Sequence, residues 1–139
     1  MSKIVSTAIL TTTLLVSINP SPTLAQTCAS KCGPRPIQFV PGQLVRIEVA
    51  NRTPRVLKLQ KSGVSESLSI QPGQTFWFEQ APLTEPNVSL LFWDDTGRAL
   101  SASLNKVNFG ILRVELRPNW RQPGDRSIYV RDDGMINVL

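Results

Sequence analysis

Two pairs of neighbouring carboxylates are the first candidates for chemistry, Asp94-Asp95 before Thr96-Gly97 and Asp132-Asp133 before Gly134. Paired acids flanking one bond hydrolyse glycosides, and gathered acids bind calcium. Sequence neighbours in a turn point apart, however, and aspartate before glycine is ordinary turn chemistry. Both pairs are therefore read as turns. The chain contains no histidine, which removes the commonest general base and the commonest metal ligand. Ser-His-Asp and Cys-His catalysis and catalytic zinc are excluded with it. No cofactor is expected. The one enzymatic route left is a histidine-free hydrolase using carboxylate, serine or lysine, and no acid pair at suggestive spacing supports it.

Aromatic and arginine side chains offer a second kind of chemistry, recognition. Alternation in Phe76-Trp77-Phe78 and Leu90-Leu91-Phe92-Trp93 sets Trp77, Leu91 and Trp93 apart from the phenylalanines. One such face can remain uncovered in a sandwich, because each sheet buries a single face. Trp120 stands in a proline-bounded loop beside Arg117 and Arg121, and aromatic plus arginine is the composition of binding hot spots. Trp77, Trp93, Trp120, Arg117 and Arg121 are the candidate binding surface, against the plainer reading that their own chain covers them.

Charge adds a third. The chain holds 15 Lys+Arg against 10 Asp+Glu. Residues 26–63 carry Lys31, Arg35, Arg46, Arg52, Arg55, Lys58 and Lys61 against Glu48 alone. If residues 56–60 pair antiparallel with residues 45–49, Lys58 falls on the outward side with Arg46. Arg46, Arg52, Arg55 and Lys58 are then candidate contacts for an anionic membrane or envelope polymer, in an association that salt weakens. No nucleic-acid motif appears, and nucleic acid is not an expected partner.

Residues 1–25 explain where such a protein works. Lys3, an uncharged apolar and hydroxyl run from Ile4 to Ile18, and Thr23-Leu24-Ala25 are the three parts of a secretory signal peptide. With it removed, no transmembrane segment is expected. Residues 26–36 then form an arm containing Cys28, Cys32 and Gly33-Pro34-Arg35-Pro36. In an exported chain the two cysteines read as a disulfide; one helical turn brings their Cα atoms to about 6 Å. The expected location is the periplasm or the extracellular space.

The elements that must carry these residues are strands. Val45, Ile47 and Val49 alternate with Arg46 and Glu48, and Leu112, Val114 and Leu116 alternate with Arg113, Glu115 and Arg117. Residues 56–60, 68–70, 75–79 and 88–93 carry further strand signals, and Ile128 and Val130 face Ile136 and Val138 across an Asp-Gly turn. Pro41-Gly42, Pro72-Gly73 and Pro123-Gly124 are type II turn dipeptides. The expectation is an all-β, two-sheet antiparallel sandwich of about seven to eight short strands over residues 37–139.

The run from Ile37 to Glu79 is similar to the opening half of cupredoxin-like sandwiches: Phe39 and Pro41, then Val45 to Asn51, then Pro72-Gly73-Gln74 and Phe76-Trp77-Phe78. The resemblance implies architecture alone, cupredoxin-like or immunoglobulin-like. The two histidines of a blue-copper site are missing and the cysteines lie outside the domain, so no copper chemistry carries over. The whole chain also looks like small exported proteins of cyanobacteria, which would add the thylakoid lumen as a location. The function expected is a non-enzymatic exported binding or structural module. The alternative is an assembly or chaperone-like sandwich that pairs through an edge strand with a protein partner.

Overall fold

Val45, Ile47 and Val49 turn inward from β1 (Val45–Asn51), and that alternation starts the core. The computed structural model describes residues 35–80 and 88–139. The expected signal segment and Cys28 and Cys32 lie outside those residues. The chain continues through β2 (Leu57–Lys61), β3 (Leu68–Ile70), β4 (Thr75–Gln80), β5 (Val88–Asp94) and β6 (Leu100–Asn108). It closes with β7 (Ile111–Pro118), β8 (Ser127–Val130) and β9 (Ile136–Val138). The described residues include no helix, and none could cross a membrane as one.

Two sheets form, in the orders β4-β1-β7-β6 and β3-β2-β5-β8-β9. Ile47, Val49, Leu112, Val114 and Leu116 from the first share one core with Leu57, Leu59, Leu90, Phe92 and Ile128 from the second. This is the two-sheet sandwich that the period-two patterns require.

Three details differ from the sequence expectation. There are nine strands among the described residues, and β6 is the one without an apolar pattern. It lies at a sheet edge with only Leu100, Ala102 and Leu104 toward the core, so Ser101, Ser103 and Asn105 are tolerated on its wet side. The first sheet is mixed, because β1 and β7 run parallel, with Ile47 opposite Leu112 and Val49 opposite Val114. Finally, β2 does not pair with β1. It joins β3 and β5 in the other sheet, so Arg46 and Lys58 belong to different sheets.

Asn51 explains the last correction. Its side chain is wholly buried. The Asn51 Oδ1 accepts the Thr53 N–H at 2.9 Å and the Thr53 hydroxyl at 2.8 Å. Its Nδ2 donates to the Arg55 carbonyl at 2.6 Å and the Ile70 carbonyl at 2.9 Å. Four bonds hold residues 51–55 as a corner rather than a hairpin, and the corner carries the chain across to the second sheet.

The β8–β9 hairpin forms in the expected register, with Ile128 opposite Val138 and Val130 opposite Ile136. Gly134 sits in its turn at φ +81°. The Gly134 carbonyl accepts the Phe39 N–H, and the Ile37 carbonyl accepts the Ile136 N–H, both at 2.9 Å. Residues 37–39 thereby strap the open side of β9 and seat Phe39 in the core.

Strand directions give the sandwich two poles. Residues 51–56, 71–74, 94–99 and 118–126 meet at one of them, joined by Leu139, whose carbonyl accepts the Arg126 and Ser127 N–H groups. Residues 37–44, 109–110 and 131–135 lie at the other.

Candidate functional site

At the first pole β5 ends in Asp94, only 6% exposed. Its carboxylate accepts the Thr96 N–H and the Thr96 hydroxyl, both at 2.7 Å, and the Gly97 N–H closes on the Asp94 carbonyl. Arg55 reaches the same carboxylate at 3.6 Å and also donates to the Thr96 hydroxyl. Asp94-Asp95-Thr96-Gly97 is a turn, as its composition implied. Asp133 likewise accepts the Met135 N–H inside its own turn.

Burial alone would push the Asp94 carboxyl up, but the Thr96 N–H, the Thr96 hydroxyl and the Arg55 and Arg98 charges together hold it below its ordinary value. A carboxylate lowered on folding stabilises the fold fully above its unfolded pKa of about 3.9 and loses that contribution as pH falls through the folded value. We therefore expect the urea midpoint to drop between pH 5 and pH 2.5, and to drop less in Asp94→Asn. Glu115 adds a change of the same sign, since its hydrogen bond from Arg117, against some burial and with help from Arg52, lowers its pKa too.

The arginines sort into two groups. On the outer face of the first sheet Arg46 meets Glu79, Arg113 meets Glu48, and Arg52 and Arg117 both meet Glu115. Arg46 also lies 4.7 Å above the Trp77 ring. Arg55 meets Asp94, and Arg131 meets Asp133. Among the described residues, by contrast, the side chains of Arg98, Arg121 and Arg126 make no salt bridge or hydrogen bond. Arg35 shares that state at the far pole. The other three stand together on the loops of the first pole.

Two recesses open between those loops. One of about 220 Å³ is walled by Trp93, Arg98, Gln122, Pro123 and Arg126. The other, of about 190 Å³, is walled by Pro54, Arg55, Arg98, Pro118 and Trp120. Asp94, Arg98, Ala99 and Leu100 line both, so they form a shared wall. The loop bearing Trp120 is held by the Asn119 N–H on the Ala99 carbonyl, the Arg121 N–H on Asn119 Oδ1, and the Asp125 N–H on the Leu100 carbonyl. Trp120 itself is 91% exposed. Burying an indole would contribute roughly 4–6 kcal/mol, so the fold gains almost nothing from this one.

Of the expected binding surface, the fold brings Trp93, Trp120 and Arg121 to one pole. Trp77 lies elsewhere, 55% exposed on the outer face of the first sheet, while Trp93 projects from the outer face of the second. The two were grouped because both oppose phenylalanines in alternation, but their strands enter different sheets. Arg117 is turned onto Glu115 and lines neither recess. The expected anionic-surface cluster is dispersed. Arg46, Arg52 and Arg55 hold carboxylates, and Lys58 donates to Ser69 at 2.7 Å on the other sheet. Sequence reasoning missed Arg98 and Arg126. The signal was faint but present: each follows a glycine turn, Thr96-Gly97 and Gly124-Asp125, with no strand pattern to claim it.

No family model, curated protein or solved structure matches this chain.

Proposed function

We propose that this chain is an exported, non-enzymatic binding module that takes an anionic ligand at the pole carrying Trp120. One observation carries the reading. Three guanidinium groups that make no salt bridge, Arg98, Arg121 and Arg126, lie on the loops of the pole that leaves the Trp120 indole in water, and Arg98 lines the recess beside it. Every other arginine from Arg46 onward meets a carboxylate within the chain. Unpaired guanidiniums are five-donor forks suited to carboxylate or sulfate, and their field extends about 8 Å at physiological ionic strength. The two carboxylates that line the recesses have other partners: Asp94 holds Thr96 and Arg55, and Asp125 accepts the Ala102 N–H at 2.7 Å. The export element of the proposal rests on residues 1–25.

The test is dextran sulfate against neutral dextran, read by tryptophan fluorescence. We expect binding to the sulfated polymer alone, weakening as salt rises. The double variant Arg98→Glu/Arg126→Glu should remove it, and Arg46→Glu/Lys58→Glu should leave it intact. Equal loss in both doubles would mean that overall charge, and not this pole, is responsible.

A second reading, pairing through an edge strand, is favoured at β4. That strand has no proline, packs Phe78 against the core, and leaves Phe76 and Trp77 exposed. The longer edge, β6, suits it poorly. Lys106 points inward over Phe39, a register shift breaks the ladder at Lys106/Asn108, and Asp125 bonds across Leu100 and Ala102. Each is a device that blocks strand addition. If β4 is the interface, light scattering gives an oligomer that Trp77→Lys dissolves.

A further inference from the structure

Resting on the anion-binding reading, we infer that the ligand is an acidic polysaccharide, whose successive sugar rings occupy the two recesses while its carboxylate or sulfate groups meet Arg98 and Arg126. The recesses are small, about 220 and 190 Å³, and lie side by side. Single small-molecule sites run to about 300–1,000 Å³, so neither recess suits a large compact ligand. Two ring-sized hollows with a common wall suit a chain of rings.

The two also repeat one composition. Each pairs an indole with arginine: Trp93 with Arg98 and Arg126 in the first, Trp120 with Arg98 and Arg55 in the second. A pyranose presents an apolar face of axial C–H bonds, and the negative face of an indole attracts those polarised hydrogens. Its ring substituents are hydroxyls and, in an acidic sugar, a carboxylate or sulfate that a guanidinium takes in two parallel hydrogen bonds. Arg98, common to both hollows, meets the anion between adjacent rings. Gln122 adds a polar group for hydroxyls.

Other anions fit less well. An extended acidic peptide gains affinity by adding its backbone to a sheet edge, and the hollows are walled by side chains of loops and strand ends. A lipid surface is flat and is met by a convex row of apolar tips beside cations, whereas these aromatics border concave hollows.

Isothermal titration of the intact chain with oligogalacturonates of increasing length tests the inference, alongside a neutral oligosaccharide, polyglutamate and vesicles containing anionic lipid. We expect affinity to rise between one and about three rings and then level off, and the neutral sugar not to bind. Trp120→Ala should weaken binding about tenfold or more, as an exposed hot-spot residue does, and Arg98→Gln should weaken it similarly. Because Trp120 is exposed, its loss should leave the urea midpoint unchanged. Trp93→Phe, which keeps most of the packing, is the companion variant for the other hollow. If polyglutamate or vesicles bind as well as the sugar, and Trp120→Ala does not matter, the polysaccharide inference falls while anion binding at this pole stands. If no anion binds, both fall.

Discussion

Asn51→Asp is expected to destabilise the sandwich by about 3–5 kcal/mol at pH 7, the largest effect of any near-isosteric substitution in this chain. The exchange keeps the shape and turns a donor into an acceptor. The Arg55 and Ile70 carbonyls, 2.6 and 2.9 Å from Nδ2, would then face a carboxylate oxygen with no proton between. Each buried polar group left without a partner costs about 1–3 kcal/mol, and a buried charge costs more. The signature is its pH dependence. Burial beside two carbonyl oxygens raises the folded pKa of the new acid above its unfolded value, so the damage is greatest at neutral pH and relaxes as pH falls and the acid gains a proton to donate. That trend is opposite to the one expected from Asp94. Urea midpoints at pH 7 and pH 4.5 check it: the gap from wild type should narrow at the lower pH. A gap independent of pH would mean that the four bonds of Asn51 do not hold the corner.

Gly134→Ala is expected to cost about 3–5 kcal/mol by a different route. At φ +81° any Cβ is disfavoured, for about 1–2 kcal/mol. Here a Cβ would also overlap the Phe39 carbonyl oxygen, so the strap must move. With it go the Phe39 N–H bond to Gly134 and the seating of Phe39, whose removal from a core is worth about 3–5 kcal/mol. Gly42→Ala is the control. Its φ is +79°, nearly the same, with nothing within 4 Å of the added carbon. That variant should lose only the φ penalty, about 1–2 kcal/mol in urea unfolding. Equal losses would show that φ alone matters and that residues 37–39 contribute little.

How far the sequence could be read follows from which residues meet water on one side only. Val45, Ile47 and Val49, Leu112, Val114 and Leu116, and the β8–β9 pair alternate because each has one wet neighbour and one dry one, and their strands were legible for that reason. β6 was not, because an edge strand under thin cover has no need of the pattern. The parallel β1–β7 pair was hidden for a different reason. Alternation states which way a side chain points, and says nothing about which strand lies alongside. The same gap split the candidate site. Trp120 and Arg121 were neighbours in sequence and stayed so. Arg98 and Arg126 came to them through the crossings of β5, β6, β7 and β8, which no local pattern encodes. Trp77 was lost to the site when β4 entered the sheet opposite β5.

The two poles set the ends of the sandwich apart. The described chain enters at the Phe39 strap beside Gly134, while Trp120 and Arg126 stand at the opposite tip. The nine residues of β6, at about 3.3 Å each, span roughly 30 Å between the ends. Within residues 35–139, Arg98, Arg121 and Arg126 thus lie at the end opposite residues 37–39. A fusion joined after Leu139 would instead emerge against Arg126 and crowd the hollow beside it. Immobilisation through the leading segment and through the far end should therefore behave as two different surfaces, one displaying the recesses and the other covering them.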